Sequence, residues 1–523
     1  MAVEEAERPR TYRTLDEVAE VLSPAEQRFE RGRRTIGLIA GPLVGVLVWL
    51  VCGGLPTDQR ALAGVLSFVI VYWITEAIPI PATALIGLAL VVLFDIAPVG
   101  DALSGFASST IFVFLGGFVI AEAMMRHGLD RRFAFRVLSL PGIARSTYRV
   151  IIAFGVISLL LSAFISNTAT TAMIFPIALG VVGTLSGVVA NQGGEGADPR
   201  RLRFATALML MVAYGASVGG LLTPIGSPPN LIGREFIENE TDTRLPFFKW
   251  VVISAPVVLL MFVALCAILI LLNRPETRRL SGAEEFIHAE RAKLGRLTAG
   301  ERNTLIAFGV AVTLWILPGV LALVLGENSA VYETVTNRLN EGVVAIIGAG
   351  LLFLLPTNWS ERKFTLTWNE AVRIDWGTIV LFGAGISLGS LLSATGLAKS
   401  IGTGLTDLLN VHSLLGLTIL ATVVAILISE TTSNTASVGV VVPIVIPIAA
   451  AAGVSPVLPA LAAVFGASYG FMLPVSTPPN AIVYGSGMVP ITKMVRSGVV
   501  FDIVGAVLIV SMVTVMVQVV GLV

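Results

Sequence analysis

Charge is scarce in this chain of 523 residues: 13% are Asp, Glu, Lys or Arg, and the two signs cancel to a formal net charge of zero. Such a surface has no basic stripe with which to hold a nucleic acid. Histidine is limited to His127, His288 and His412, and cysteine to Cys52 and Cys266, which sit in separate apolar runs. Neither a disulfide framework nor a Cys/His metal site follows from so few. The first 35 residues carry Arg8, Arg10, Arg13, Arg28, Arg31, Arg33 and Arg34 but no short apolar region before a small-residue cleavage site, and are expected to form a cytoplasmic, partly helical arm.

What remains is apolar: 55% of residues are hydrophobic and 52 are glycine, the composition of a polytopic membrane protein. Runs long enough to cross a hydrocarbon layer of about 30 Å fall near 36–54, 61–80, 82–98, 110–125, 204–222, 248–272, 304–325, 342–356, 377–393, 458–474 and 498–522. That predicts eleven spans. Two further stretches, 149–186 and 412–452, are too long for one span and carry a polar triplet at the middle, Ser166-Asn167-Thr168 and Ser433-Asn434-Thr435. Irregular backbone at that depth is tolerated only where it lines a cavity, so each stretch reads as a re-entrant helical hairpin with the triplet at its tip.

The triplets belong to a longer repeat. Thr223-Pro-Ile-Gly226-Ser227-Pro228-Pro229-Asn230 follows the first, and Leu473-Pro-Val-Ser476-Thr477-Pro478-Pro479-Asn480 follows the second, at matching distances once the polar insert 187–203 is set aside. Upstream, Thr110 and Thr378 open similar segments in the same register, so the chain contains an internal duplication. With the Arg-rich start inside, the basic loops 126–149, 187–203, 273–303, 357–376 and 491–497 all fall on the cytoplasmic side. The first hairpin then enters from the cytoplasm and the second from outside. The halves are inverted repeats of the secondary-transporter kind, with the site expected at the midplane, and the carboxyl end lies outside.

The Pro-Pro-Asn segments should break two spans, because proline lacks an N–H and clashes with the preceding turn. Carbonyls freed at a break, with Ser and Asn oxygens, suit a small hard cation, while amides at half-helix N-termini suit an oxyanion. No Lys or Arg lies near either triplet in the sequence, so a bound anion is expected to be held by hydroxyls, amides, helix ends and neighbouring cations. Glu76, Glu122 and Glu430, in or near apolar runs, are read as structural.

As a set, the two Ser-Asn-Thr triplets, the two Ser/Thr-Pro-Pro-Asn breaks and the order of spans and hairpins resemble the divalent anion/sodium symporters, a family that carries C4-dicarboxylates, citrate or sulfate. The resemblance covers nearly all of the chain from residue 36. It implies an all-α homodimer with an elevator mechanism, in which a scaffold (36–148 and 304–410) holds a mobile transport domain (149–272 and 411–523), with 273–303 as a cytoplasmic loop. Segments 126–148 and 395–410 correspond to interfacial arm helices. It implies a first sodium site at Ser162, Ser166, Asn167 and the carbonyl of Gly226, and a second at Ser429, Thr432, Asn434 and the carbonyl of Ser476. Substrate contacts are expected from Ser166, Asn167, Thr168, Ser227, Ser433, Asn434, Thr435, Thr477 and Pro478.

The expected function is import of a dianion, most simply succinate, malate or fumarate, with co-transported sodium ions across a bacterial or archaeal plasma membrane. Exchange, and citrate or sulfate symport, are alternatives within the family; an anion channel is the alternative outside it. Gly215-Ala-Ser217-Val-Gly219 and Gly466-Ala-Ser468-Tyr-Gly470 match a nucleophile-elbow pattern. Small residues packed in membrane helices explain both, since neither serine has an evident base and no enzyme is expected.

Overall fold

The computed structural model describes residues 24–191, 198, 200, 202–241, 243–279, 282–326, 328–409 and 413–522. Most of the expected cytoplasmic arm, and His412, lie outside these residues. Helix α1 (Pro24–Val51) runs from the Arg-rich segment into the first apolar run, so the expected boundary at residue 35 falls within a helix. It packs on α2 (Thr57–Thr75), which packs on α3 (Ile80–Leu93).

The first repeat follows as α4 (Ser109–His127), α5 (Leu129–Leu138), α6 (Thr147–Ser162), α7 (Asn167–Asn191), α8 (Arg203–Gly219), α9 (Pro228–Glu240) and α10 (Phe247–Leu272). A connecting block holds α11 (Ala283–Lys293), α12 (Ala299–Leu325), α13 (Ala330–Arg338), α14 (Glu341–Leu354) and a two-stranded hairpin, β1 (Pro356–Asn358) with β2 (Lys363–Phe364). The second repeat is α15 (Trp376–Ala394), α16 (Leu397–Leu409), α17 (Leu414–Thr431), α18 (Asn434–Ala451), α19 (Val457–Ala467), α20 (Pro478–Gly485) and α21 (Ile491–Val519).

Nine helices among the described residues are long and apolar enough to cross a membrane. The expected spans 204–222 and 458–474 are shorter than predicted, because α8 and α19 stop at the breaks and leave the remaining depth to α9 and α20. The run at 342–356 is the 14-residue α14, which meets α13 at a bend of 59°.

Local chemistry sets the ends. Ser108 caps α4 by accepting from Thr110 N, and Asp375 caps α15 by accepting from Thr378 N. Both helices end at a glycine with positive φ, Gly128 (72°) and Gly396 (77°), and the helices α5 and α16, in the segments expected to form arms, start directly after them. A left-handed glycine turns the chain sharply without a Cβ penalty, so each of these helices leaves the preceding span at the same point in its repeat.

The repeats interlock. In each, the hairpin packs on the helix before the break, α6 and α7 on α8, α17 and α18 on α19. The half-helix after each break crosses to the other repeat: α9 packs on α18 and α19, and α20 on α7 and α8. One continuous apolar core joins these helices, with Phe204, Tyr214, Phe465, Tyr469, Phe471 and Phe501 fully buried.

At the Arg-rich end, α5 is stapled to the connecting block. Arg132 pairs with Glu301 at 2.6 Å and donates to the carbonyls of Leu294, Gly295 and Arg296; the His127 ring lies 2.8 Å from the Thr365 carbonyl. Asp130, on the same arm and outside the spans, is buried with one carboxyl oxygen unpartnered, and burial pushes its carboxyl up to about 6 from 3.8. The folded chain therefore holds this proton more tightly than the unfolded chain. The group's relative stabilisation is complete below the ordinary carboxylate range and is lost as pH rises through about 6. Asp130→Asn is expected to raise the thermal stability of the purified protein near neutral pH by up to about 3 kcal/mol and to make little difference near pH 4. A shift of the same size at both values in a thermal unfolding series would reject this origin.

Candidate functional site

The breaks are built alike. After α8, Thr223 accepts from Gly226 N at 3.1 Å and donates to the Ala163 carbonyl, tying the break to the first hairpin. Asn230 donates through Nδ2 to the carbonyls of Gly220 (2.7 Å) and Thr223 (2.8 Å). In the second repeat Asn480 donates to Gly470 (2.8 Å) and Leu473 (3.0 Å), while Thr477 caps α20. One side-chain amide in each copy thus takes two backbone carbonyls of the break loop that follows the helix, and prolines occupy the next helix's first positions, where no N–H is needed.

The hairpin tips match as well. Ser162 Oγ donates to Asn167 Oδ1 at 2.6 Å, and Ser429 Oγ lies 2.8 Å from Asn434 Oδ1 and 2.7 Å from the Ala467 carbonyl. A hydroxyl has one hydrogen, so at the second tip three oxygens stand close with a single proton among them. At the first, a Cβ on Gly226 would lie 2.6 Å from the Gly220 carbonyl oxygen and 2.9 Å from those of Ser162 and Ala163. Both places concentrate oxygen acceptors, the donor set of a hard monovalent or divalent cation. Ser166 and Ser433 cap the helices that start at the triplets, accepting from Ala169 N (3.3 Å) and Ala436 N (3.2 Å).

The tips and breaks meet at one cavity of about 1220 Å³. Ser166, Asn167, Thr168, Ser227, Ser433, Asn434, Thr435, Ser476, Thr477 and Pro478 all line it, so every residue predicted to touch substrate faces one space. Ser162, Ser429 and Thr432 are buried behind that wall, as is Gly226 at the first break. Helices α7, α9, α18 and α20 all begin at residues on the wall, an arrangement that favours negative charge in the cavity.

One sequence reading needs correction: a basic residue does reach a triplet. Arg33, on α1, donates through Nη1 to the carbonyl of Thr431 at 2.8 Å, beside the second tip, and to that of Ile74 at 3.1 Å. Its other amine pairs with Glu30 (2.7 Å) and Glu76 (3.3 Å). Arg34, Glu122, Arg126, Asp130 and Arg373 line the same cavity. Distance along the chain hid Arg33, but Glu30, Arg33 and Arg34 share one face of a helix by their spacing, and that helix leads into an apolar run.

Glu430, adjoining the second tip, accepts from the backbone N–H groups of Phe471 (2.5 Å) and Met472 (2.9 Å) and from Ser476 Oγ (2.8 Å). It holds the loop of the second break. Ser217, in α8, and Ser468, just past the end of α19, are buried, and neither hydroxyl has a hydrogen-bond partner.

The profile of the sodium:sulfate symporter transmembrane region matches residues 33–523. The sodium-dependent dicarboxylate transporter SdcS of Staphylococcus saprophyticus is 32% identical over 484 residues, covering 91% of this chain and 90% of that protein. SdcS of Staphylococcus aureus is 32% identical over 495 residues, covering 94% and 92%. Among solved structures, the YdaH transporter of Alcanivorax borkumensis aligns with a TM-score of 0.51 at 16% identity, over 80% of this chain and 87% of that one. MtrF of Neisseria gonorrhoeae aligns with a TM-score of 0.52 at 14% identity, over 82% and 84%. These two likenesses concern the fold alone. On the profile match and the identity across most of its length, this chain belongs to the sodium:sulfate symporter family, the divalent anion/sodium symporters, and is a multi-pass membrane transporter rather than an enzyme.

Proposed function

We propose that this protein imports a C4-dicarboxylate with sodium ions, moving one central site between the two sides of the membrane by an elevator motion. The observation that carries the reading is the convergence of two oxygen-rich hairpin tips and four helix N-termini on one cavity. The names of the staphylococcal relatives favour sodium and a dicarboxylate over other pairs. In this reading Ser162, Ser166, Asn167 and the Gly226 carbonyl hold one sodium ion; Ser429, Thr432, Asn434 and the Ser476 carbonyl hold the other. The dianion lies between the triplets, against Thr168, Ser227, Thr435, Thr477 and Pro478.

The cavity wall includes Arg33, Arg34, Arg126 and Arg373, from segments that the positive-inside rule assigns to the cytoplasm. The arrangement therefore corresponds to an inward-facing state. Outward movement then requires that Arg33 release Thr431, and that Arg234 on α9 release Glu341 on α14, an ion pair of 2.6 Å. The matched hairpins, entering from opposite sides, favour alternating access over a continuous pore. The protein is placed in a bacterial plasma membrane, as a homodimer, with α1 starting on the cytoplasmic side.

Moving one charge through 100 mV is worth about 2.3 kcal/mol, so importing a dianion against an inside-negative potential costs about 4.6 kcal/mol, which two sodium ions cancel. Labelled succinate, citrate and sulfate are to be offered to proteoliposomes with and without a sodium gradient. Succinate uptake is expected to saturate, to require sodium and to rise with a sodium Hill coefficient above one. Undiminished uptake with choline replacing all sodium would sink symport in favour of exchange or proton coupling.

A further inference from the structure

The outer half of α9 carries charges that neither the sodium positions nor the dianion uses, and three of them reach three different helices of the expected scaffold. Glu235 accepts from Ser108 Oγ (2.9 Å) and Thr110 Oγ1 (2.6 Å) at the start of α4. Arg234, 8% exposed, pairs with Glu341 in the first turn of α14 at 2.6 Å, and Glu240 accepts from Ser393 near the end of α15. Glu341 also accepts from Phe247 N, the first amide of α10, at 2.5 Å. One scaffold carboxylate thus holds two elements of the expected transport domain.

All three helix ends lie on the outer side, because the opposite ends of α4, α14 and α15 adjoin the basic loops 126–149 and 357–376. The second repeat carries no matching charges. Register from the paired prolines sets Tyr484 opposite Arg234, Gly485 opposite Glu235 and Pro490 opposite Glu240. In the packing, α9 lies on α15 across the expected domain boundary, whereas α20 lies on α7 and α8 within its own domain. The contacts are also built to part. Arg234 keeps Glu238, 3.0 Å away and four residues along the same helix, so it can leave Glu341 without becoming an unpaired buried charge. Glu341 and Glu235 then pass to the water of the crevice that opens between the domains.

We infer that Glu341 is a positioning residue for transport: with Glu235 it latches α9 to the scaffold on the outer side, holds the site facing the cytoplasm, and so sets the apparent affinity for external dianion. The inference rests on the elevator reading. Where only a fraction of the protein presents its site outward, the external half-saturation concentration is raised by the inverse of that fraction. Loosening the latch therefore tightens external binding, a direction that lost packing does not produce.

The test measures sodium-driven succinate uptake and the labelling of a cavity cysteine in wild type, Glu341→Gln and Glu235→Gln, two nearly isosteric neutral variants away from both tips. The cysteine replaces Ala172, on the cavity wall, after Cys52→Ser and Cys266→Ser, and meets an impermeant thiol reagent applied from either side. Each variant is expected to lower the external half-saturation concentration about threefold or more, to slow labelling from the cytoplasmic side and to speed it from outside. Glu235→Gln decides alone if Glu341→Gln does not assemble. Wild-type half-saturation and labelling in the variants overturn the latch. A raised half-saturation with wild-type labelling overturns it as well, since that is the mark of a merely structural contact. Labelling of the wild-type background from one side only, whatever the sodium and succinate supplied, refutes the elevator reading itself, and the inference with it.

Discussion

Asn434→Ala is expected to abolish most sodium-dependent uptake and to raise the sodium concentration for half-maximal binding about fivefold or more. The Asn434 amide has two tasks at one point. Its Oδ1 stands 2.8 Å from Ser429 Oγ in the oxygen cluster of the second tip, and its Nδ2 faces the Ser468 carbonyl at 3.4 Å, while the residue lines the cavity. Alanine removes one cation ligand and takes the side-chain donor from the buried Ser468 carbonyl. Leaving such a buried group unpaired costs about 1–3 kcal/mol, which is roughly fivefold to 150-fold in affinity. Asn167→Ala should do the same at the first tip, where Ser162 loses its acceptor. Sodium titrations of succinate binding to the purified variants check this. If both keep wild-type half-saturation, the triplets serve only as helix caps.

Gly226→Ala is expected to cost transport just as heavily through a different route. Its added methyl would meet three backbone oxygens at 2.6–2.9 Å, those of Gly220, Ser162 and Ala163. Backbone atoms cannot swing aside as the end of a side chain does, so the break must open, and overpacking of this kind costs about 1–3 kcal/mol or more. The carbonyls it would displace are those that crowd the first tip, so sodium affinity should fall together with rate. Gly309→Ala on α12 is the control, because a methyl there meets nothing within 4 Å. Equal uptake by the two variants in the same vesicles would show that the packing around Gly226 is not needed.

Polar residues in apolar surroundings are what made the site legible in the sequence. A Ser-Asn-Thr triplet inside a run of Ala, Ile and Val stands out, and its recurrence in register with Pro-Pro-Asn marks the tips and breaks that line the cavity. The arm segments 126–148 and 395–410 were legible only through the family resemblance, and the structure adds that a left-handed glycine, Gly128 or Gly396, stands at the matching point of each repeat. Long-range pairings carry no such signature. Arg33 and Thr431 are separated by nearly the whole chain, and nothing in the local pattern of either ties the two together. Helix length escaped for another reason: composition reports how far an apolar run extends, whereas α8 and α19 stop short of loops whose carbonyls Asn230 and Asn480 catch.

The exchange of half-helices between repeats bears on ancestry. Because α9 is seated on α18 and α19, and α20 on α7 and α8, each repeat leaves the half-helix after its break to be covered by the other. A half-length forerunner would have exposed that surface until it met a second copy of itself, and with opposed insertion the two copies would have lain head to foot in one bilayer. Joining two such copies in one chain would make the encounter permanent and release them from having to stay identical. Glu430 opposite Ala163 is one trace of that freedom: an acid in one copy no longer forces an acid in the other.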